Sequence, residues 1–179
     1  MSQSTPAPLA QQGAQSLPLV VNAQYVKDMS FEVPGAPQVY TQLRSQPAVN
    51  INLDVQARRV GDQTNVYEVT LVIRAEAGMP AANGADGAAP PNVMPQTLFV
   101  AELSYAGVFT LNNLPENAVE PVLLVECPRL LFPFARNILA EVTRDGGFPP
   151  VLLQPIDFVA LWQARRQQAG QGPGPVATA

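Results

Sequence analysis

Strict alternation of apolar and polar residues over long runs constrains this chain most. From Val49 to Arg59, Val49, Ile51, Leu53, Val55 and Ala57 fall on one side, and Asn50, Asn52, Asp54, Gln56 and Arg58 on the other. A period of two marks a strand with one buried and one wet face. Tyr67, Val69, Leu71, Ile73 and Ala75 repeat the pattern against Glu68, Thr70, Arg74 and Glu76. Phe99, Ala101, Leu103, Tyr105, Phe109 and Leu111 make a third apolar face. Tyr25, Lys27, Met29, Phe31 and Val33 make a fourth, shorter and less regular, stopped by Pro34 and Pro37. The turn residues between Val60 and Asn65 join the first two runs as a hairpin. Four half-buried strands predict an antiparallel sheet.

After Pro121 the period becomes helical. Leu131, Phe134, Ala135, Ile138 and Val142 form one stripe, widened by Leu130 and Leu139. Pro133 is expected in the first turn, where its missing N–H costs little. Gly146 and Gly147 are expected to supply the left-handed stop. A second helix is expected over about 157–168, with Asp157 as its N-cap and Phe158, Leu161 and Trp162 on one face. The resulting fold class is α+β: a four-stranded antiparallel sheet with one long and one short helix. The helical stripe is wider than one sheet contact requires, and charged residues make up only 13% of the chain. Part of the apolar surface is therefore expected to be buried between subunits. The candidates are Ala101, Leu103 and Tyr105 from the sheet and Leu131, Phe134 and Ile138 from the helix.

The ends read as tails. Residues 1–22 and 170–179, poor in charge and rich in Pro, Gly, Ala or Gln, are expected to be disordered around one domain over 23–169. The Ala/Gly/Pro-rich stretch 78–95 reads as a mobile excursion between two strands.

The chemistry is sparse. The chain has no His, which removes Ser-His and Cys-His dyads and most transition-metal sites. Cys127, the single Cys, precedes Pro128 and reads as structural. No phosphate-binding glycine motif occurs. No catalytic residue, metal or cofactor is expected. A net charge of −4 and a pI near 4.7 argue against nucleic acid as a partner. No run reaches the ~18 apolar residues of a membrane span, and the N-terminus has no signal-peptide pattern. Asp28, Glu32 and Glu102 fall on wet strand faces, where charge can select a basic partner.

Several motifs resemble SecB, the bacterial protein-export chaperone family. They include Cys127-Pro128, Leu131-Phe132-Pro133-Phe134-Ala135-Arg136, Gly147-Phe148-Pro149-Pro150 and Pro155-Ile156-Asp157-Phe158. Tyr25-x-Lys27-Asp28-x-Ser30-Phe31-Glu32, Val66-Tyr67-Glu68-Val69 and Val100-Ala101-Glu102-Leu103 match in the same chain order. The resemblance implies a cytoplasmic homotetramer, a dimer of dimers, with no enzymatic activity. It implies ATP-independent holding of unfolded preproteins and delivery to the SecA motor. It places SecA docking at Asp28, Glu32, Val100 and Glu102. It also implies a client groove, lined here by Val39, Tyr40, Leu43, Phe158, Leu161 and Trp162. The chain differs from the family pattern at Ser45, Arg165 and Arg166, where relatives can be more apolar or aromatic. The alternative reading is a non-export holdase or adaptor on the same fold, guarding an unstable partner protein.

Overall fold

Alternation decides which side of each strand meets the core, and in the computed structural model three of the four strands keep it along their length. The structure describes residues 17–43, 46–62, 65–79 and 97–170. The elements are β1 (Leu19–Glu32), α1 (Gln38–Gln42), β2 (Ala48–Arg59), β3 (Val66–Gly78) and β4 (Thr97–Leu111). A continuous helical stretch follows: α2 (Glu116–Pro121), a π-helical turn (Val122–Glu126) and α3 (Cys127–Asp145). The last helix is α4 (Phe158–Gly170). The strands form one antiparallel sheet in the order β1-β4-β3-β2, so β1 and β2 are its edges. β1 begins inside the stretch expected to be an N-terminal tail. Most of the 78–95 excursion and the 171–179 tail lie outside the described residues, as does Ser45.

The helical stretch lies across one face of the sheet. Val69, Leu71, Ile73, Phe99, Ala101, Leu103 and Phe109 are buried beneath it, facing Leu131, Phe132, Ala135 and Leu139. Full burial of each large side chain contributes about 1.5–3 kcal/mol. The helix starts earlier than the sequence suggested, and Pro133 lies inside it rather than in its first turn. The cost is contained because Pro133 is on the exposed side, where water can bond the freed carbonyl. Ahead of Pro128, the Cys127 N–H reaches back to the Val122 carbonyl, opening a π turn before a residue with no N–H to offer. Among the described residues, no helix is long and apolar enough to cross a membrane.

The C-terminal end of α3 closes as its glycines require. Gly147 adopts φ +84°, and the Phe148 N–H donates to the Thr143 carbonyl at 3.1 Å. A Cβ on Gly146 would lie 2.2 Å from the Phe31 ring, so only glycine lets that ring approach. Phe31, Phe99, Phe148 and Tyr40 stack here, with neighbouring centroids 4.9–5.4 Å apart, tying β1, β4 and α1 to the end of α3.

Candidate functional site

Two surfaces bear on function: the sheet face away from the helices, which carries the expected docking residues, and a cleft between β2 and the segment joining α3 to α4. The first depends on irregularities in β1. The β1–β4 register shifts between Val21 and Ala23 and again between Val26 and Asp28, where Lys27 is the extra residue. The expected Tyr25-Lys27-Met29-Phe31 face is therefore broken. Tyr25 and Lys27 reach the wet face, while Met29 pairs with Leu103 and Phe31 with Ala101 on the helix side. Past the bulge, Asp28, Ser30 and Glu32 pair with Ser104, Glu102 and Val100. All four expected docking positions thus come to one patch of the wet face.

The charges in that patch are not equivalent. Glu102 is ion-paired with Arg74, which also approaches Glu76 at 3.5 Å. Asp28 and Glu32 are exposed and have no basic partner among the described residues. Asp28, Asp54, Arg74 and Glu102 line a shared shallow depression.

Glu68, read as an ordinary wet-face residue, is only 5% exposed and anchors a network across the sheet. Its carboxylate accepts from the Tyr25 hydroxyl at 2.7 Å and Lys27 Nζ at 2.5 Å, both on β1. It also accepts from Arg58 Nε and Nη2 on β2, at 3.0 and 2.9 Å, and from the Thr70 hydroxyl at 3.3 Å. The Arg58 bonds, then those of Lys27 and Tyr25, hold the carboxyl well below the usual range despite its burial. In return, the bond to Glu68 raises the Tyr25 phenol above its usual value. The sequence shows Glu68 alternating correctly but gives no sign that residues from both edge strands converge on it.

On the helix side, a cleft of about 470 Å³ opens between β2 and the extended 149–156 segment. Val49, Ile51, Phe99, Val151, Leu153 and Ile156 supply its apolar walls. Pro149, Pro150 and Pro155 keep the segment extended. Thr143 fixes it to α3: its hydroxyl donates to the Leu139 carbonyl at 2.9 Å and accepts the Val151 N–H at 3.0 Å.

None of the six expected groove residues lines this cleft. Val39 is buried in the core, and Tyr40 donates to the Gly146 carbonyl at 2.8 Å while stacking on Phe148. Leu43 and Leu161 are half-buried against the core. Phe158 is 1% exposed, edge-on to Phe132, and so anchors α4 rather than facing a client. Trp162 donates to Glu120 of α2 at 3.0 Å and carries Arg166 over its ring. Asp157 caps α4 as expected, accepting the N–H groups of Val159 and Ala160 at 3.0 Å. The signal for the cleft was present in Val151-Leu152-Leu153: an apolar run that flanking prolines exclude from a helix.

The interface candidates also divide. Ala101, Leu103, Tyr105 and Leu131 fill this chain's own core. Phe134 is 52% exposed, stacked on Tyr105, and Ile138 is half-buried. Val26 and Met29, on the β1 edge, are exposed beside Tyr105 and Leu103. Cys127 is fully buried, and burial, reinforced by Glu126, pushes its thiol up to about 12, far from a reactive thiolate.

Comparison with known proteins gives this geometry its family. Residues 11–169 match the family model described as preprotein translocase subunit SecB. The protein-export protein SecB of Acidiphilium cryptum is 66% identical over 158 residues, covering 86% of this chain and 92% of that protein. The chain belongs to the SecB family. The protein-export protein SecB 1 of Gluconobacter oxydans is 52% identical and aligned over the full length of both chains. A solved SecB-like chaperone from Mycobacterium tuberculosis, in complex with a ChAD peptide from an antitoxin, superposes with a TM-score of 0.59. It covers 78% of this chain and 91% of its own at 13% identity, which shows the shared SecB fold.

Proposed function

We propose that this chain is an ATP-independent export chaperone that binds unfolded preproteins in the cytoplasm and hands them to SecA. Membership of the SecB family carries this reading, because the relatives named protein-export proteins cover nearly the whole chain. The SecA-docking surface is the patch of Asp28, Glu32, Val100 and Glu102. Asp28 and Glu32 dominate it, since Arg74 already neutralises Glu102. A basic partner gains steering and selectivity from unpaired exposed carboxylates.

The client site is the cleft beside β2. Its apolar walls lie next to a sheet edge whose free backbone groups pair with any extended chain. Such a surface accepts many sequences and needs no specific pocket. The assembly is a homotetramer, joined through the β1 edge and the outer face of α3, where Val26, Met29, Leu130 and Phe134 are exposed.

SecA pulldown with charge-reversal variants tests the docking assignment. Asp28→Lys and Glu32→Lys are expected to weaken capture strongly and Glu102→Lys less, with oligomerisation unchanged. Undiminished SecA capture by Asp28→Lys and Glu32→Lys would refute it.

A further inference from the structure

β2 is an edge strand, yet one of its outward positions is occupied. Arg165, on α4, donates from Nη1 to the Val55 carbonyl at 2.7 Å, and its other terminal nitrogen ion-pairs with Asp54. The Val55 carbonyl is thus directed away from β3. In an antiparallel strand, alternate residues direct both backbone groups to the same side. Val49, Ile51 and Leu53 therefore present their N–H and C=O groups outward as well. Val49 and Ile51 also line the cleft, so this row, which has no further backbone partner among the described residues, runs along its open side. The row ends where the guanidinium takes the Val55 carbonyl. Arg is permanently charged and offers a planar fork of donors, so an incoming backbone must displace it.

We propose that Arg165 acts as a stop that sets how long a client segment can pair with β2, a specificity determinant resting on the client-site reading above. The open row from Ala48 to about Asp54 accepts roughly six or seven extended residues, at ~3.4 Å each. Beyond it, Arg165 competes for the backbone acceptor that a longer client would use.

The test uses the full chain and labelled peptides of about 5, 7, 9 and 11 residues, alternating Leu and Ser to match a pleated edge. Affinity for the natural chain is expected to rise to about seven residues and then level off. In Arg165→Ala, affinity is expected to keep rising to about 11 residues, by roughly 3–10-fold over the plateau, the scale of one or two added hydrogen bonds. Asp54→Asn approaches the same contact from the strand side and is expected to move the plateau in the same direction. The same plateau in all three proteins would overturn the stop. Failure of the natural chain to bind any peptide would instead overturn the client site itself.

Discussion

Glu68→Gln is the substitution whose effect can be worked most fully from the structure. The carboxylate is 5% exposed and accepts hydrogen bonds from Tyr25, Lys27, Thr70 and, twice, Arg58. A hydrogen bond to a charged group contributes about 1.5–3 kcal/mol when buried. The Lys27 and Arg58 side chains are 41% and 66% exposed, so solvent screening reduces the share that each contributes. Removing the charge but keeping the shape is expected to cost about 1–2 kcal/mol, and Glu68→Ala about 2–4 kcal/mol. The folded carboxyl titrates below its unfolded value. Its stabilisation is therefore complete above the unfolded pKa of about 4.3 and is lost as pH falls towards the folded one. Urea unfolding at fixed protomer concentration checks both statements. The gap between natural chain and Glu68→Gln should be constant from pH 7 to about 5 and shrink below about 4.3. An unchanged midpoint at pH 7, or a gap that does not shrink at low pH, would refute the network's role.

Thr143→Val is expected to leave the Val151 N–H without its acceptor, at a cost of about 1–3 kcal/mol. Faster hydrogen exchange at Val151 and its neighbours, with α3 still protected, is the expected signature of a loosened cleft wall. Phe134→Asp places a charge on the exposed side of α3 and removes only the stacking on Tyr105 from the core's margin, so sedimentation should show a smaller assembly of folded chains. Leu131→Asp, in contrast, should abolish folding, because an unpaired buried charge costs several kcal/mol.

The parts of this fold that the sequence reveals are those where local pattern and global environment agree. β2 and β3 pair without a break, so alternation alone assigns every face correctly. Gly147 and Asp157 carry their roles in residue type, one through its left-handed backbone and the other through its capping carboxylate. β1 resists such reading because two register shifts within one strand move residues between faces, and no two-residue period survives them. The stripe of α3 is read out of phase for a related reason. Leu131, Phe132, Ala135, Leu139 and Thr143 face the core, whereas the apolar Leu130 and Phe134 point outward. A large aromatic is taken as core by periodicity alone, although Phe134 is 52% exposed. Thr143 was invisible as a core residue because its partner, Val151, lies beyond the helix end. That Asp28, Glu32 and Glu102 lie on wet strand faces was legible, but the Arg74 pairing that neutralises Glu102 was not, since it depends on the β3–β4 register.

Whether this chain holds unfolded polypeptide is read directly by calorimetric titration. One client protein, in its folded form and again reduced and unfolded, is titrated into the assembled chaperone without nucleotide. The unfolded form is expected to bind with a negative heat-capacity change, as apolar burial in the cleft requires, and the folded form to show no measurable binding. Equal affinity for both forms, or binding that appears only when ATP is added, would contradict it.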